Sequence, residues 1–417
     1  MNTCKRPAWG VMLVTLLAGL LLMACQPIQA PAAEESRPNR PTYAARGPFG
    51  VGFQILINEA ESGNGLEIQS WYPALVPASA EETIDYAVTL KDSTWQPTTQ
   101  PIAHGHALRN AAIDASRGPY PLVVLSHGFM LSPAWYHTLA EHFASYGFIV
   151  LAPDHPEEFD PTFDEMWKTL IDRPAAVTAT LDYAEALAAP GGAMAGLINM
   201  ANVAVVGHSY GGYTALAAAG AQYDMAAYKA RCATLEVDDP LTFFCLPIVP
   251  NETAMAERAG LAAVPDGLWP SFGDPRVTAI IPMAGDSYLF DEAGLAQVTV
   301  PLMAIAGSAD TGTPLDWGAK PAYDHAASTQ KSLVVLEGGE HMLFTTPCEN
   351  QPWLSEHPYY EYFCFDPTWE KAQALDLIHH LSTAFLLDTL KGDPDAHAAL
   401  LPAVVQFPGV AYTTTLP

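Results

Sequence analysis

The chain has 417 residues, half of them hydrophobic, and 18 basic residues against 45 acidic ones give a net charge of −27. That apolar content supports a large core and excludes global disorder, while the acidic field excludes nucleic acid as a partner. The length fits one α/β domain with insertions better than a string of separate domains.

Residues 1–24 read as an export signal. Lys5 and Arg6 precede the apolar run WGVMLVTLLAGLLLMA, which ends at Cys25 in the context Leu22-Met23-Ala24-Cys25. This boundary resembles the lipobox of bacterial lipoproteins. The resemblance implies that Cys25 is lipidated, becomes the first mature residue and holds the protein on the extracytoplasmic side of a membrane. An uncleaved anchor or an ordinary signal peptide is the alternative. Residues 25–47 are rich in Pro and Ala without an apolar period, as suits a tether, and the folded domain is expected over 48–417.

Short apolar runs then alternate with longer segments. VGFQILI and LEIQSWYPA predict early strands; PLVVLSHG, FIVLAPDH, NVAVVGHS, VTAIIPMAG, VPLMAIAG and KSLVVLEGG each pair a buried-strand core with a following Gly, Asp or His. Helices are expected near 134–146, 173–188, 210–221 and 369–390. The alternation predicts the α/β class, with a mainly parallel sheet covered on both faces. Residues 222–275 and 344–368 break the rhythm as Pro-bearing insertions.

Export changes the reading of the cysteines. With Cys4 in the signal and Cys25 at the lipidation site, Cys232, Cys245, Cys348 and Cys364 remain, and they allow three pairings. The sequence-local pairing, Cys232 with Cys245 and Cys348 with Cys364, is expected because each pair brackets one irregular segment in an oxidising compartment. Zinc fits poorly, since these spacings are far wider than those of ligand pairs.

In Gly207-His208-Ser209-Tyr210-Gly211-Gly212 the glycines allow a sharp turn between the strand ANVAVV and the helix-compatible YTALAAAGA. Such a turn projects Ser209 as a nucleophile, with a structural turn serine as the alternative. A serine hydroxyl needs a base and a group to orient that base. His341 follows a strand toward the C-terminus, where the last triad member is expected. His379 and His380 fall within a helix and read as surface or packing residues. The acid is Asp310, in AGSADTGTP, or Asp286, one strand earlier in MAGDSYLF; Asp310 keeps the commoner arrangement. Oxyanion donors are expected at the backbone N–H groups of Tyr210 and Phe129, with Met130 less favoured than Phe129. His127 is expected to hold that loop by hydrogen bonds. Phe129, Trp135, Tyr136 and Tyr210 suggest an apolar acyl or aryl pocket.

Taken together, WYPA, LSHGF, YGFIVLAPDHP, DRPAAVTATLDYA, GHSYGGYTAL, GSADTGTP and GGEHMLF resemble the α/β-hydrolase superfamily over roughly residues 48–390. The nearest branch is the platelet-activating-factor acetylhydrolase and dienelactone-hydrolase-like one, with bacterial polyester hydrolases as neighbours. The resemblance implies a nucleophile at Ser209, a base at His341 and oxyanion donors at Phe129 and Tyr210. Dienelactone hydrolases use Cys where this chain has Ser209. The expected activity is serine ester hydrolysis on short-chain, aryl or lipid esters. Alternatives are a polyester hydrolase, a peptidase or acyltransferase with the same triad, or a non-enzymatic lipid-anchored binding protein. No metal or organic cofactor, a membrane contact through the anchor only, and a monomer are expected.

Overall fold

Ten strands form one twisted sheet, and the central ones are the runs that carry no polar alternation. A computed structural model describes residues 40–416 apart from 60–64, 78, 92–96, 98, 158–162 and 237–241. The export signal and Cys25 lie outside the described residues. The strands are β1 (Gly50–Asn58), β2 (Leu66–Ala74), β3 (Ile84–Ala87), β4 (Ile102–Gly105), β5 (Leu108–Arg109), β6 (Tyr120–Ser126), β7 (Ile149–Pro153), β8 (Ile198–His208), β9 (Ala279–Met283), β10 (Leu302–Gly307), β11 (Lys331–Leu336) and β12 (Val410–Thr414). Their order is β12-β11-β10-β9-β8-β6-β7-β2-β1-β5, with β3 and β4 paired separately.

From β11 to β7 every pairing is parallel. Strands β2 and β1 join antiparallel at one side and β12 at the other. Parallel strands need crossovers, and the helices that supply them cover both faces. In β6, Leu122 and Val124 enter one core while Val123 and Leu125 enter the other. In β8, Val203 and Val205 are likewise divided from Ala204 and Val206. One core packs under the helices His137–Ser145 and Lys371–Lys391, and the other under Met166–Ala188 and Tyr210–Ala218. The fold is that of the α/β hydrolases.

The folded unit takes in residues before position 48. Residues from Pro41 onward belong to the compact unit: Thr42–Ala44 form a 3-10 turn with Ala44 fully buried, and the amide of Tyr43 donates to Nδ1 of His380. Ala44 and this contact draw into the core a segment whose composition alone reads as linker. Short helices, among them Met225–Cys232, Thr242–Ile248, Glu252–Arg258 and Tyr360–Cys364, occupy described parts of residues 222–275 and 344–368, and Cys232–Cys245 and Cys348–Cys364 are disulfides, which point to an extracytoplasmic protein. Among the described residues no helix is long and apolar enough to cross a membrane.

Candidate active site

Ser209 stands between the end of β8 and the Tyr210–Ala218 helix at φ +56°, ψ −121°, a conformation costly for a non-glycine residue and held by its surroundings. The glycines explain how the turn closes. A β carbon on Gly207 would lie 2.1 Å from the Gly211 carbonyl oxygen, and one on Gly211 2.0 Å from the Ser126 carbonyl oxygen. The backbones approach too closely for any side chain there. The amide of Ser209 donates to the carbonyl of Met283 in β9 (2.8 Å), which ties the turn to the neighbouring strand.

His341 begins a 3-10 turn beyond β11. Its Nε2 is 2.8 Å from Ser209 Oγ, and its Nδ1 is 2.8 Å from Asp310 Oδ2 and 3.0 Å from Oδ1. Asp310, beyond β10, also accepts from the amides of Gly312 and Thr313, each at 2.8 Å, and from Thr313 Oγ1 at 3.1 Å. The carboxylate is therefore locked in orientation before it meets the imidazole. Gly312 lets the loop cross the ring closely, since a β carbon there would stand 3.0 Å from His341 Cγ. Asp286, beyond β9, is not brought to Nδ1: its Oδ1 accepts the Tyr288 amide at 2.8 Å, and burial pushes its carboxyl up to about 6.

The loop after β6 presents Phe129. The Met130 amide donates to Glu157 Oε1 (3.1 Å), which removes Met130 as a free donor. Among the described residues, neither the Phe129 nor the Tyr210 amide has a partner within the protein; Tyr210 opens its helix, where such an orphan is expected. His127 is fully buried, burial lowers its pKa, and its Nε2 accepts the His155 amide at 3.0 Å. Its Nδ1–H therefore donates to the Gly128 carbonyl at 2.8 Å, the loop-holding contact expected of it.

One expectation needs correction. Trp135 and Tyr136 are fully buried and line no acyl pocket. Trp135 packs on Trp353 and Phe363 of the second insertion. Tyr136 Oη accepts the Gly128 amide (3.0 Å) and donates to His208 Nδ1 (2.8 Å), a structural role that a hydrophobic reading of the ring overlooks. A cavity of about 360 Å³ beside Arg231, Tyr288, Asp291 and Trp317 does not include Ser209 among its lining residues. His379 and His380 are buried packing residues in the Lys371–Lys391 helix.

Sequence comparison agrees with the fold. A chlorophyllase family model matches residues 99–241, and a model for platelet-activating factor acetylhydrolase, isoform II, matches residues 36–160. Chlorophyllase-2 of Arabidopsis thaliana is 33% identical over 109 residues, which are 26% of this chain. The match spans about a third, 32%, of that relative's length.

Proposed function

On the premise that this chain is a member of the α/β-hydrolase superfamily, we propose that it is a serine carboxylic-ester hydrolase. Ser209 Oγ attacks the ester carbonyl as His341 Nε2 takes its proton. The new Oγ–C bond leaves a tetrahedral oxyanion between the N–H groups of Phe129 and Tyr210. Collapse breaks the C–O bond to the alcohol, which leaves with the proton from His341. Water then adds to the acyl-enzyme, gives its proton to the same nitrogen, and frees the acid and Ser209. Asp310 keeps the imidazole in the tautomer that accepts at Nε2.

The observation that carries this reading is the continuous hydrogen-bond line Ser209 Oγ, His341 Nε2, His341 Nδ1, Asp310. The matched families support an ester as the substrate class. A second reading, an insoluble or aggregated ester such as a polyester or oxidised phospholipid, draws support from the second insertion. There Tyr359, Tyr360, Tyr362 and Phe365 are exposed, on the segment that follows His341 and is stapled by Cys348–Cys364. Anchoring through a lipidated Cys25 would keep a monomeric enzyme at the membrane surface.

A panel of p-nitrophenyl esters of rising chain length, a matched p-nitroanilide, a polyester film and an oxidised phospholipid vesicle tests both readings. Turnover of esters with none of the anilide supports the esterase. Cleavage of the anilide at comparable rates would turn the assignment toward a peptidase.

A further inference from the structure

Arg173 lies in the Met166–Ala188 helix and is 1% exposed, a burial rarely tolerated for a charged side chain without a partner. Glu157 supplies the partner through two contacts: Nε to Oε2 at 2.9 Å and Nη2 to Oε1 at 2.5 Å. The pair does more than neutralise itself. Nη1 donates to the His127 carbonyl at 2.7 Å and Nη2 to the Gly128 carbonyl at 3.3 Å, while the guanidinium lies 4.6 Å from the centre of the Tyr210 ring.

The consequence follows from peptide geometry. In a trans peptide the C=O and the N–H point in opposite directions. The Gly128 carbonyl and the Phe129 amide belong to the same plane, so a donor that fixes the former also aims the latter. Three donors fix it: His127 Nδ1 at 2.8 Å, and Arg173 Nη2 and the Leu131 amide at 3.3 Å each. The flanking planes are pinned as well: the Gly128 amide by Tyr136 Oη, the Met130 amide by Glu157 Oε1, and the Met130 carbonyl by the Lys91 amide at 2.7 Å. Met130 is thereby held at φ +64°, in a left-handed conformation that its side chain disfavours. The Phe129 amide is left projecting from the side of its peptide opposite the guanidinium.

We infer that Arg173 is a positioning residue for oxyanion stabilisation: held by Glu157, its fork sets the Gly128–Phe129 peptide plane and braces the ring of Tyr210, the residue carrying the second donor. A lysine cannot replace it, because an ammonium lacks the planar fork that reaches a carboxylate and two carbonyls at once. The inference rests on the proposed acyl-transfer reading, in which the Phe129 and Tyr210 amides receive the oxyanion.

The test compares the native protein with Arg173→Lys and with the double variant Arg173→Met, Glu157→Gln. The double variant leaves no unpaired buried charge and so keeps the fold accessible. Competent Ser209 is counted by stoichiometric p-nitrophenol release from a p-nitrophenyl alkylphosphonate. kcat and KM are then measured on a soluble p-nitrophenyl ester and expressed per titrated site. Inhibition by a trifluoromethyl ketone, whose adduct carries a tetrahedral oxyanion, is measured alongside.

We expect kcat per titrated site to fall about 10- to 1000-fold in the double variant, as loss of an aligned oxyanion donor does, with KM within about threefold of native and ketone affinity falling in parallel. Arg173→Lys is expected between the two. Native kcat per titrated site in the double variant overturns the inference, as does a loss of activity matched by an equal loss of titratable sites, which would mark a merely structural role. Failure of the native protein to take up phosphonate at all would instead bring down the esterase reading itself.

Discussion

His208 Nε2 donates to the carbonyl oxygen of His341 across 2.8 Å, so the residue before the candidate nucleophile holds the loop that carries the candidate base. Burial drives the His208 pKa well down, and the neutral ring then has one nitrogen to donate and one to accept. Nδ1 accepts from Tyr136 Oη, which itself accepts the Gly128 amide. One buried relay thus links the loop after β6, the serine turn and the histidine loop. Tyr136→Phe leaves the Gly128 amide and His208 Nδ1 buried without partners. Each such group costs about 1–3 kcal/mol, so urea denaturation is expected to show a clear loss of stability together with lowered ester turnover; a native midpoint would refute the relay.

The two aspartates separate in one experiment. Asp310→Asn is expected to lower kcat by about 10⁴-fold, because an orienting amide favours the wrong imidazole tautomer. Asp286→Asn is expected to leave turnover near native, since its Oδ1 is engaged by the Tyr288 amide rather than by His341. A large fall for Asp286→Asn would mean that the acid comes from the earlier strand.

Asp286 also has a pH signature. Its carboxyl titrates at about 6 when folded against 3.8 when free, so its favourable contribution is complete below about pH 4 and is lost as pH rises through 6. Asp286→Asn should therefore gain stability over the native protein at pH 7.5 and little at pH 4. Equal gains at both pH values would contradict the burial argument.

Acid should weaken the fold through the buried histidines. Burial lowers the pKa of His127, His137, His155 and His208, and pushes His380 down to about 4. A depressed folded pKa gives stability that is present above the free value, 6.5, and is lost as pH falls toward the folded one. Denaturation midpoints are expected to drop steeply between about pH 6.5 and 4. A flat profile would contradict it.

Each disulfide closes a short loop, with sequence separations of 13 and 16 residues, and a loop of that size is worth about 3 kcal/mol. Cys348–Cys364 staples the segment that follows His341 and packs Trp353 and Phe363 onto Trp135. Replacing that pair with serine is expected to lower both thermal stability and turnover, while replacing Cys232 and Cys245 lowers chiefly stability. Equal activity losses from the two pairs would argue against a special tie to the histidine loop.

Much of this architecture is legible in the sequence. Continuous apolar runs cannot sit in a half-exposed sheet, so β6 to β11 read as buried parallel strands, and glycines around Ser209 have few uses other than a tight turn. The three candidate triad residues come from three strand ends, and their order along the chain follows from the crossover topology. Other features depend on contacts through space. Strands β3, β5 and β12 are short and half-exposed, so their alternation spans too few residues to stand out from loop sequence. Tyr43 and Ala44 belong to the domain because His380, over three hundred residues away, receives an amide there. Arg173, in a helix, and Glu157, in the loop after β7, lie sixteen positions apart, so only folding reveals that one fork grips both Glu157 and the loop after β6.

The most direct measurement of the central claim is the site of covalent capture. The native protein is incubated with a p-nitrophenyl alkylphosphonate, digested and mapped by mass spectrometry, with Ser209→Ala in parallel. The account predicts one phosphonyl group per chain, located on Ser209, ester hydrolysis lost in step with its uptake, and neither uptake nor hydrolysis by a folded Ser209→Ala. A label on another residue, or sustained hydrolysis by folded Ser209→Ala, would contradict it.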